Sequence, residues 1–425
     1  MIKPLVRFFN TDGLLKDSLM LFLGMSLAHV INLLFQMFMG RRLAAEEFAL
    51  LISLLGVLNV LTFPLGVFST AISRYSSLLI KNGRAGDVSR LIRHWGGRLA
   101  VAGLICSLIC FLLAGPIAGF LHLDRVAPVY IFGVIITGLF CRPVMNGALL
   151  GGQRFGAWGW GMVLGALVRL LVGAFLVVSI SPFAGWGLLG HGLGFYATIF
   201  FGITILLFAL KGSSPTQEAL PAMKQYLAGS FVIMLGYSIL MTGDVIVVKH
   251  LFPEAAGDFA YAATLGRLVL FVPQALVGAM FPKVVSDGQE TSRQRALLAK
   301  TLLASFAAAS VTACVFSLFA RFLPRILFAI PVPSDELVCW LRGLSWAMVP
   351  VALLSSVMRY ALAQHRFVVA AVIPLTALGY IVSCFVWAKG PDGILISLGL
   401  FSFCSLLAAG IPVLMRPSKR KGDQE

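Results

Sequence analysis

The chain has 425 residues, of which 59% are hydrophobic and 12% are charged, with a formal net charge of +16 and a mean hydropathy of +0.94. Soluble domains carry about 25% charged residues, so this composition excludes a soluble protein. The lysines and arginines lie in short stretches between apolar blocks, which argues against nucleic acid as a partner.

Apolar blocks of the length that a membrane-spanning helix needs follow one another along the whole chain. None alternates with period two, so helices are predicted rather than the strands of a barrel. The twelve predicted spans are residues 18–39, 47–71, 96–121, 126–150, 156–180, 183–210, 225–248, 257–281, 298–320, 336–361, 366–388 and 392–415. The sequence therefore predicts an all-α polytopic membrane protein.

The distribution of lysine and arginine predicts the orientation. With both termini in the cytoplasm, 22 of the 33 basic residues lie on the cytoplasmic side and seven on the other, as the positive-inside rule requires. The first block is too long for the apolar core of a signal peptide and has no cleavage site, so it is expected to be retained as a span.

The connections between blocks are short, and none could form a soluble domain. The longest, over 81–98, contains a short amphipathic segment at 87–95 that predicts a helix lying on the membrane surface. The chain has no phosphate-binding G-x-x-x-x-G-K-[ST] motif. Its seven cysteines form no C-x-x-C pair, and no cluster of His, Asp and Glu suggests a metal site. No metal and no cofactor are expected.

One mixed-charge stretch reveals an internal repeat. GRRLAAEEFALLISLLG at 40–56 resembles VKHLFPEAAGDFAYAATLG at 248–266, since both have a basic pair, a leucine, acids and then Phe-Ala. Three further pairs repeat at an offset of 209 or 212 residues: Pro64 and Pro273, Arg74 and Lys283, Arg154 and Arg366. Six spans separate the copies, which predicts parallel repeats. The prediction is an N-terminal six-helix bundle over 1–210, a cytoplasmic linker over 211–225 and a C-terminal six-helix bundle over 226–425.

The pattern G-R-x-L-x-x-x-E-F-A at 40–49, with Pro64 and the pair Arg74-Tyr75 at the end of the span, resembles polysaccharide-export flippases of the O-antigen type. These belong to the multidrug/oligosaccharidyl-lipid/polysaccharide (MOP) exporter superfamily, together with multidrug and toxin extrusion antiporters and the lipid II flippase. Ala49 stands where such proteins often have glycine, and many of them have fourteen spans. The resemblance implies a transporter of the bacterial inner membrane, not an enzyme, that moves a lipid-linked oligosaccharide outward. Membrane lipids and proteins of polysaccharide synthesis are its candidate partners.

A few ionisable residues lie inside the predicted spans: Arg142, Arg169, Arg267, Arg342 and Asp244. Such groups are costly in lipid and usually face a cavity or a partner. A guanidinium binds phosphate oxygens through a planar fork of donors, so the arginines predict a cationic cavity for a diphosphate headgroup. Each arginine could instead form a structural pair or reach the nearest membrane surface. Asp244 could couple an ion or a proton, or could neutralise Arg267 or Lys249.

Span 1 carries a polar stripe. His29, Asn32 and Gln36 are spaced i, i+3, i+7 and share one helix face, which is expected to line the cavity or to contact a neighbouring helix. His29 alone is a weak signal for a proton relay, and His191 of span 6 is a weaker one.

The span ends supply two further candidate groups. Arg74 and Lys283 lie at corresponding cytoplasmic ends and could attract an anionic headgroup, or simply contact lipid phosphate. On the opposite side, the mixed-charge loops of both halves predict an outer gate of ion pairs, although capping of the loops is an equally good explanation. The gate residues are Arg41, Arg42, Glu46, Glu47, Lys249, Glu254 and Asp258.

Together these features predict an alternating-access flippase for a polyprenyl-diphosphate-linked oligosaccharide. A multidrug antiporter has the same topology, but cationic drugs favour acidic cavities, and this chain has one intramembrane acid at most. A membrane glycan polymerase or ligase usually needs a sizeable outer loop with catalytic residues, whereas the outer loops here are short.

Overall fold

A computed structural model describes residues 11–211, 215–216, 224–274, 292–364 and 366–415. Within these ranges every regular element is a helix. In chain order the α-helices are α1 Thr11–Arg42, α2 Ala45–Lys81, α3 Ala85–Leu112, α4 Ala114–Phe120, α5 Ala127–Gly151, α6 Phe155–Ser179, α7 Ala184–Ala209, α8 Lys224–Leu251, α9 Ala256–Gly266, α10 Ser292–Leu318, α11 Leu323–Phe328, α12 Asp335–Ala363, α13 Phe367–Ala370, α14 Val372–Trp387 and α15 Pro391–Met415. A 3₁₀ helix, Arg267–Leu270, follows α9.

Eleven helices in the described part of the chain are long and apolar enough to cross a membrane. They match eleven of the predicted spans in order, which confirms an all-α polytopic membrane protein. The remaining prediction, 257–281, begins with α9 and the 3₁₀ helix, and its last residues lie outside the described ranges. Lys283 of the predicted inner mouth also lies outside them.

The predicted surface helix at 87–95 is wrong, because these residues form the first turns of the continuous helix α3. Asp87, the acid at the start of this segment, is completely buried. It accepts hydrogen bonds from Arg84 Nε at 2.7 Å and from the backbone N–H of Thr216 at 2.9 Å. A buried acid in the first turn compensates the unpaired N–H groups there, so the acid stabilises the start of a long helix and binds a residue of the linker.

The chain separates into two compact units. One comprises Met1–Arg42, Leu65–Gly119 and Leu123–Lys224, and the other comprises Leu43–Pro64, Phe120–His122 and Gln225–Glu425. The change at residue 224 falls at the end of the predicted linker. The first half of α2, however, groups with the second unit, which differs from a first bundle over 1–210. The parallel relation between the halves stays a prediction.

The division within α2 falls at a proline. Pro64 has no N–H, so the carbonyl of Val60 lacks its helical donor. Ser238 Oγ on α8 lies 3.1 Å from that carbonyl oxygen and 2.8 Å from the carbonyl of Leu235, so its hydrogen is shared between them. In the other direction, Ser53 Oγ of α2 donates to the Val245 carbonyl of α8 at 3.1 Å. The first half of α2 is therefore joined to α8 by side-chain hydrogen bonds on both helices.

Replacing Ser238 with alanine should lower the stability by about 1 kcal/mol, because the Val60 carbonyl, which lacks its helical donor, would lose the hydroxyl group that reaches it. Thermal unfolding of the purified protein in detergent would measure this. Ser345→Ala is a matched control, since Ser345 is equally buried but donates its hydrogen bond to the Leu341 carbonyl within its own helix. Equal unfolding temperatures for the two variants would contradict a role of Ser238 in holding α2.

Candidate functional site

Three buried or half-buried basic side chains meet in the first unit, in what we term the cationic cluster: Arg142 of α5, Arg169 of α6 and His191 of α7. Asn32 of α1 and the rings of Phe35 and Phe195 contact them. The cluster thus draws one side chain or more from each of four spanning helices.

Glycines bring α6 and α7 close enough for this meeting. A methyl group built on Gly190 would lie 2.7 Å from the backbone of Gly173 and 2.9 Å from the Arg169 carbonyl oxygen, and one on Gly194 would collide with the Gly165 carbonyl oxygen. Small residues allow such backbone contact between membrane helices. The run of glycines therefore sets the short distance across which Arg169 and His191 interact.

Arg169 organises the cluster. Its Nη1 donates to Asn32 Oδ1 at 2.8 Å, and its Nη2 lies 3.4 Å from His191 Nε2. A guanidinium has no acceptor, so His191 Nε2 must accept, and the proton of the neutral imidazole is then on Nδ1. The guanidinium carbon also lies 5.8 Å from the centroid of the Phe35 ring.

Arg142 reaches the same region through an aromatic ring. Its guanidinium carbon lies 4.8 Å from the centroid of Phe195, and the His191 ring packs edge-on against the same ring at 4.7 Å. Cation–π attraction favours this position for Arg142 but satisfies none of its N–H groups.

The cluster has an excess of donors. The Nε atoms of Arg142 and Arg169 and the Nδ1 atom of His191 are buried without a hydrogen-bond partner. Among the described residues, no carboxylate pairs with either arginine. Buried polar groups are usually satisfied, and these three atoms all donate. The arrangement is suited to an anion with several acceptor oxygens.

The other predicted intramembrane groups lie in the second unit. The Arg267 guanidinium forms an ion pair with Asp244, and its Nε donates to the Met241 carbonyl at 3.1 Å. Arg342 is exposed, and its Nε donates to the Ser317 carbonyl near the end of α10 at 3.1 Å. The structure thus brings Arg142 and Arg169 together, but it gives Arg267 a carboxylate partner.

The remaining predicted positions are placed as follows. On α1, Asn32 contacts Arg169, while His29 and Gln36 are half-buried. Arg74 is exposed near the end of α2.

Of the predicted gate residues, Asp258 accepts a hydrogen bond from Ser334 Oγ at 2.5 Å. Ser334 Oγ in turn accepts a hydrogen bond from Leu337 N and so caps α12. Arg41, Arg42 and Glu46 are exposed, Glu47 is half-buried, and Glu254 lines a cleft of about 460 Å³. Lys249 is buried.

Sequence reasoning missed two features. Phe195, whose ring lies between Arg142 and His191, was missed because it carries no charge. Its i+4 spacing from His191 was nevertheless a usable signal that the two side chains are neighbours on the helix. Arg359, which was not among the candidate site residues, lies in α12, half-buried, with its guanidinium carbon 5.9 Å from the Phe63 ring centroid. Among the described residues, no three of His, Cys, Asp or Glu are placed to hold a metal ion.

Comparison with known sequences finds relatives that are described as uncharacterized proteins. No protein-family model matches the chain. It is 29% identical over 221 residues to the uncharacterized protein Rv1510 of Mycobacterium tuberculosis, covering 48% of this chain and 49% of that one. It is 26% identical over 251 residues to the uncharacterized protein Rv3630 of the same organism, covering 56% and 55%. The chain therefore spans about half the length of the curated relatives it matches.

Comparison with solved structures identifies the fold. The inward-facing conformation of a multidrug resistance MATE family transporter of the MOP superfamily matches with a TM-score of 0.72 at 12% identity, over 91% of this chain and 94% of that one. The lipid II flippase MurJ in an inward closed conformation matches with a TM-score of 0.69 at 12% identity, over 94% and 88%. This multi-pass membrane protein thus has the all-helical fold of MATE and MurJ structures.

Proposed function

We propose that the chain is an alternating-access flippase that moves a polyprenyl-diphosphate-linked oligosaccharide from the inner to the outer leaflet of a bacterial cytoplasmic membrane. The observation that carries this proposal is the cationic cluster. It has two guanidiniums, three unpartnered buried donors and, among the described residues, no paired carboxylate.

A diphosphate headgroup fits this donor set. Its oxygens accept several hydrogen bonds, and guanidinium–phosphate bonds are roughly twice as strong as neutral ones. Attraction between opposite charges is also much stronger away from bulk water, where the effective dielectric constant is lower. In this proposal Arg142 and Arg169 bind the headgroup, and Asn32 and His191 hold the Arg169 guanidinium in position.

The fold supports translocation between two membrane faces. One solved neighbour is an inward-facing and another an outward-facing MATE transporter, and a third is named a lipid II flippase. On the predicted orientation, with both termini cytoplasmic, the headgroup enters from the cytoplasm. The glycan then leaves on the outer side while the polyprenyl chain stays in lipid.

A multidrug antiporter is the second candidate, because several solved neighbours are MATE multidrug transporters. The intramembrane acid that could attract a cationic drug is Asp244, which Arg267 neutralises. Two unpaired arginines in the first unit would repel such a drug. The charge of the described residues therefore favours an anionic substrate.

Reconstitution tests the two candidates in one preparation. Proteoliposomes receive a fluorescent polyprenyl-diphosphate oligosaccharide, and an impermeant quencher reports how much of it reaches the outer leaflet. We expect protein-dependent exchange of this lipid and no gradient-driven movement of ethidium. Ethidium transport without lipid exchange would establish the antiporter instead, and extension of the glycan chain by the purified protein would indicate a polymerase or ligase.

A further inference from the structure

An open apolar cleft of about 480 Å³ lies on the first unit between α3, α5 and α7. Its lining is aliphatic and aromatic, with Val134 and Tyr130 from α5 and Leu193 and Tyr196 from α7. Val134 is 53% exposed and Leu193 is 40% exposed. We term it the α5–α7 groove.

The walls of the α5–α7 groove are fixed by packing. Tyr196 donates its hydroxyl hydrogen to the Val134 carbonyl oxygen at 2.6 Å, which joins the two sides. A methyl group on Gly138 would lie 3.0 Å from the Tyr196 ring, so the ring is seated against the α5 backbone. At the floor, a methyl on Gly192 would meet the side chain of Ile135 at 2.5 Å. The groove is thus lined by side chains that close packing and a hydrogen bond hold in place, rather than being a gap between loose side chains.

The groove shares its two main helices with the cationic cluster. Ile135 in the groove and Arg142 in the cluster are seven residues apart on α5, so they lie on one face about 10.5 Å apart. On α7, Gly192 of the groove adjoins His191, and Phe195 under Arg142 is three residues further. A ligand with an anionic end at Arg142 could therefore place an apolar chain in the groove.

The direction of the groove fits a lipid that has not yet been flipped. On the predicted orientation, α5 begins at the outer surface, so the groove extends from the cluster toward that surface. A lipid of the inner leaflet has its headgroup at the cytoplasmic surface. Its chain extends from the headgroup toward the outer surface, in the same direction as the groove extends from the cluster. The groove and the cluster would match such a lipid along its length.

We infer that the α5–α7 groove binds the isoprenoid chain of the anionic lipid whose diphosphate binds at the cationic cluster. This inference rests on the proposed function. Each methylene buried by the groove would raise the affinity about fourfold, so the chain as well as the headgroup would select the substrate.

Photolabelling tests the inference. The probe is farnesyl diphosphate with a diazirine at the far end of its chain, and labelled peptides are located by mass spectrometry. We expect labels on α5 and α7 beside the groove. Val134→Trp fills the groove and should lower labelling about tenfold. Val101→Trp is the matched control, because Val101 is 56% exposed on α3 and does not line the groove.

The outcomes separate this inference from the proposed function. Equal labelling of wild type and Val134→Trp, or equally strong labelling of the groove by a diazirine phosphatidylglycerol, would overturn the groove as a specific site. Translocation that depends on Arg169 without any groove labelling would overturn only the groove. Groove labelling and translocation that are both unchanged in Arg169→Gln would overturn the headgroup site on which the inference depends.

Discussion

Replacing Arg169 with glutamine should lower the rate of lipid translocation at least about 30-fold, since truncating one partner of a desolvated charge pair costs 2–5 kcal/mol. Arg169→Lys should lie between this variant and wild type, because lysine keeps the charge but loses the planar fork. The proteoliposome exchange assay measures all three. The rate of translocation of the diphosphate lipid should be lowered at every lipid concentration that the vesicles can hold.

The stability of Arg169→Gln decides between a binding and a structural role. A structural arginine stabilises the fold, and its removal lowers the unfolding temperature. Arg169 has an unsatisfied buried Nε and no carboxylate among its described partners, so its removal should leave the unfolding temperature unchanged or raise it, as is common for binding sites. Arg342→Gln is the control for Arg169→Gln, because the Arg342 side chain is exposed and donates a hydrogen bond to a carbonyl of α10. Translocation by Arg169→Gln at the wild-type rate would refute the cationic cluster as the headgroup site.

The spans could be predicted because the signal is direct. A helix that crosses lipid must be apolar over its whole length, and that requirement is visible in one sequence window. The prediction of a surface helix at 87–95 was wrong because the signal there is indirect. Asp87 and its basic neighbours look like a surface face, and the compensating partner, Thr216, is 129 residues away in the chain. A pairing over such a distance leaves no periodic signal.

The individual arginines could also be predicted, because charge in lipid is rare and costly. Their grouping could not. Arg142, Arg169 and Arg267 look alike in the sequence, yet the first two share a cluster and the third has Asp244 as its partner. Helix rotation and packing decide which side chains meet, and here the glycine contacts between α6 and α7 are part of that decision.

The division of α2 had a sequence signal of a different kind. Pro64 was recognised as one half of a repeated pair, but its structural consequence depends on the partner helix. The carbonyl that the proline leaves without a donor is reached by Ser238 of α8. A proline in a membrane helix therefore predicts an unsatisfied carbonyl, while the residue that satisfies it becomes known only from the fold.

Removing either member of the Asp244–Arg267 pair should lower the stability by roughly 3–5 kcal/mol, because it leaves the other charge in the second unit without compensation. Asp244 is completely buried and Arg267 is largely so. Removing both, in Asp244→Asn with Arg267→Met, should recover most of the loss, as contacting residues couple in double-mutant cycles. Thermal unfolding in detergent gives the stability, and the lipid-exchange assay gives the function of the double variant. A double variant that is stable and active would establish that the pair is structural. A stable double variant without exchange would show that Asp244 contributes to transport beyond pairing, and an Asp244→Asn single variant as stable as wild type would refute the pairing itself.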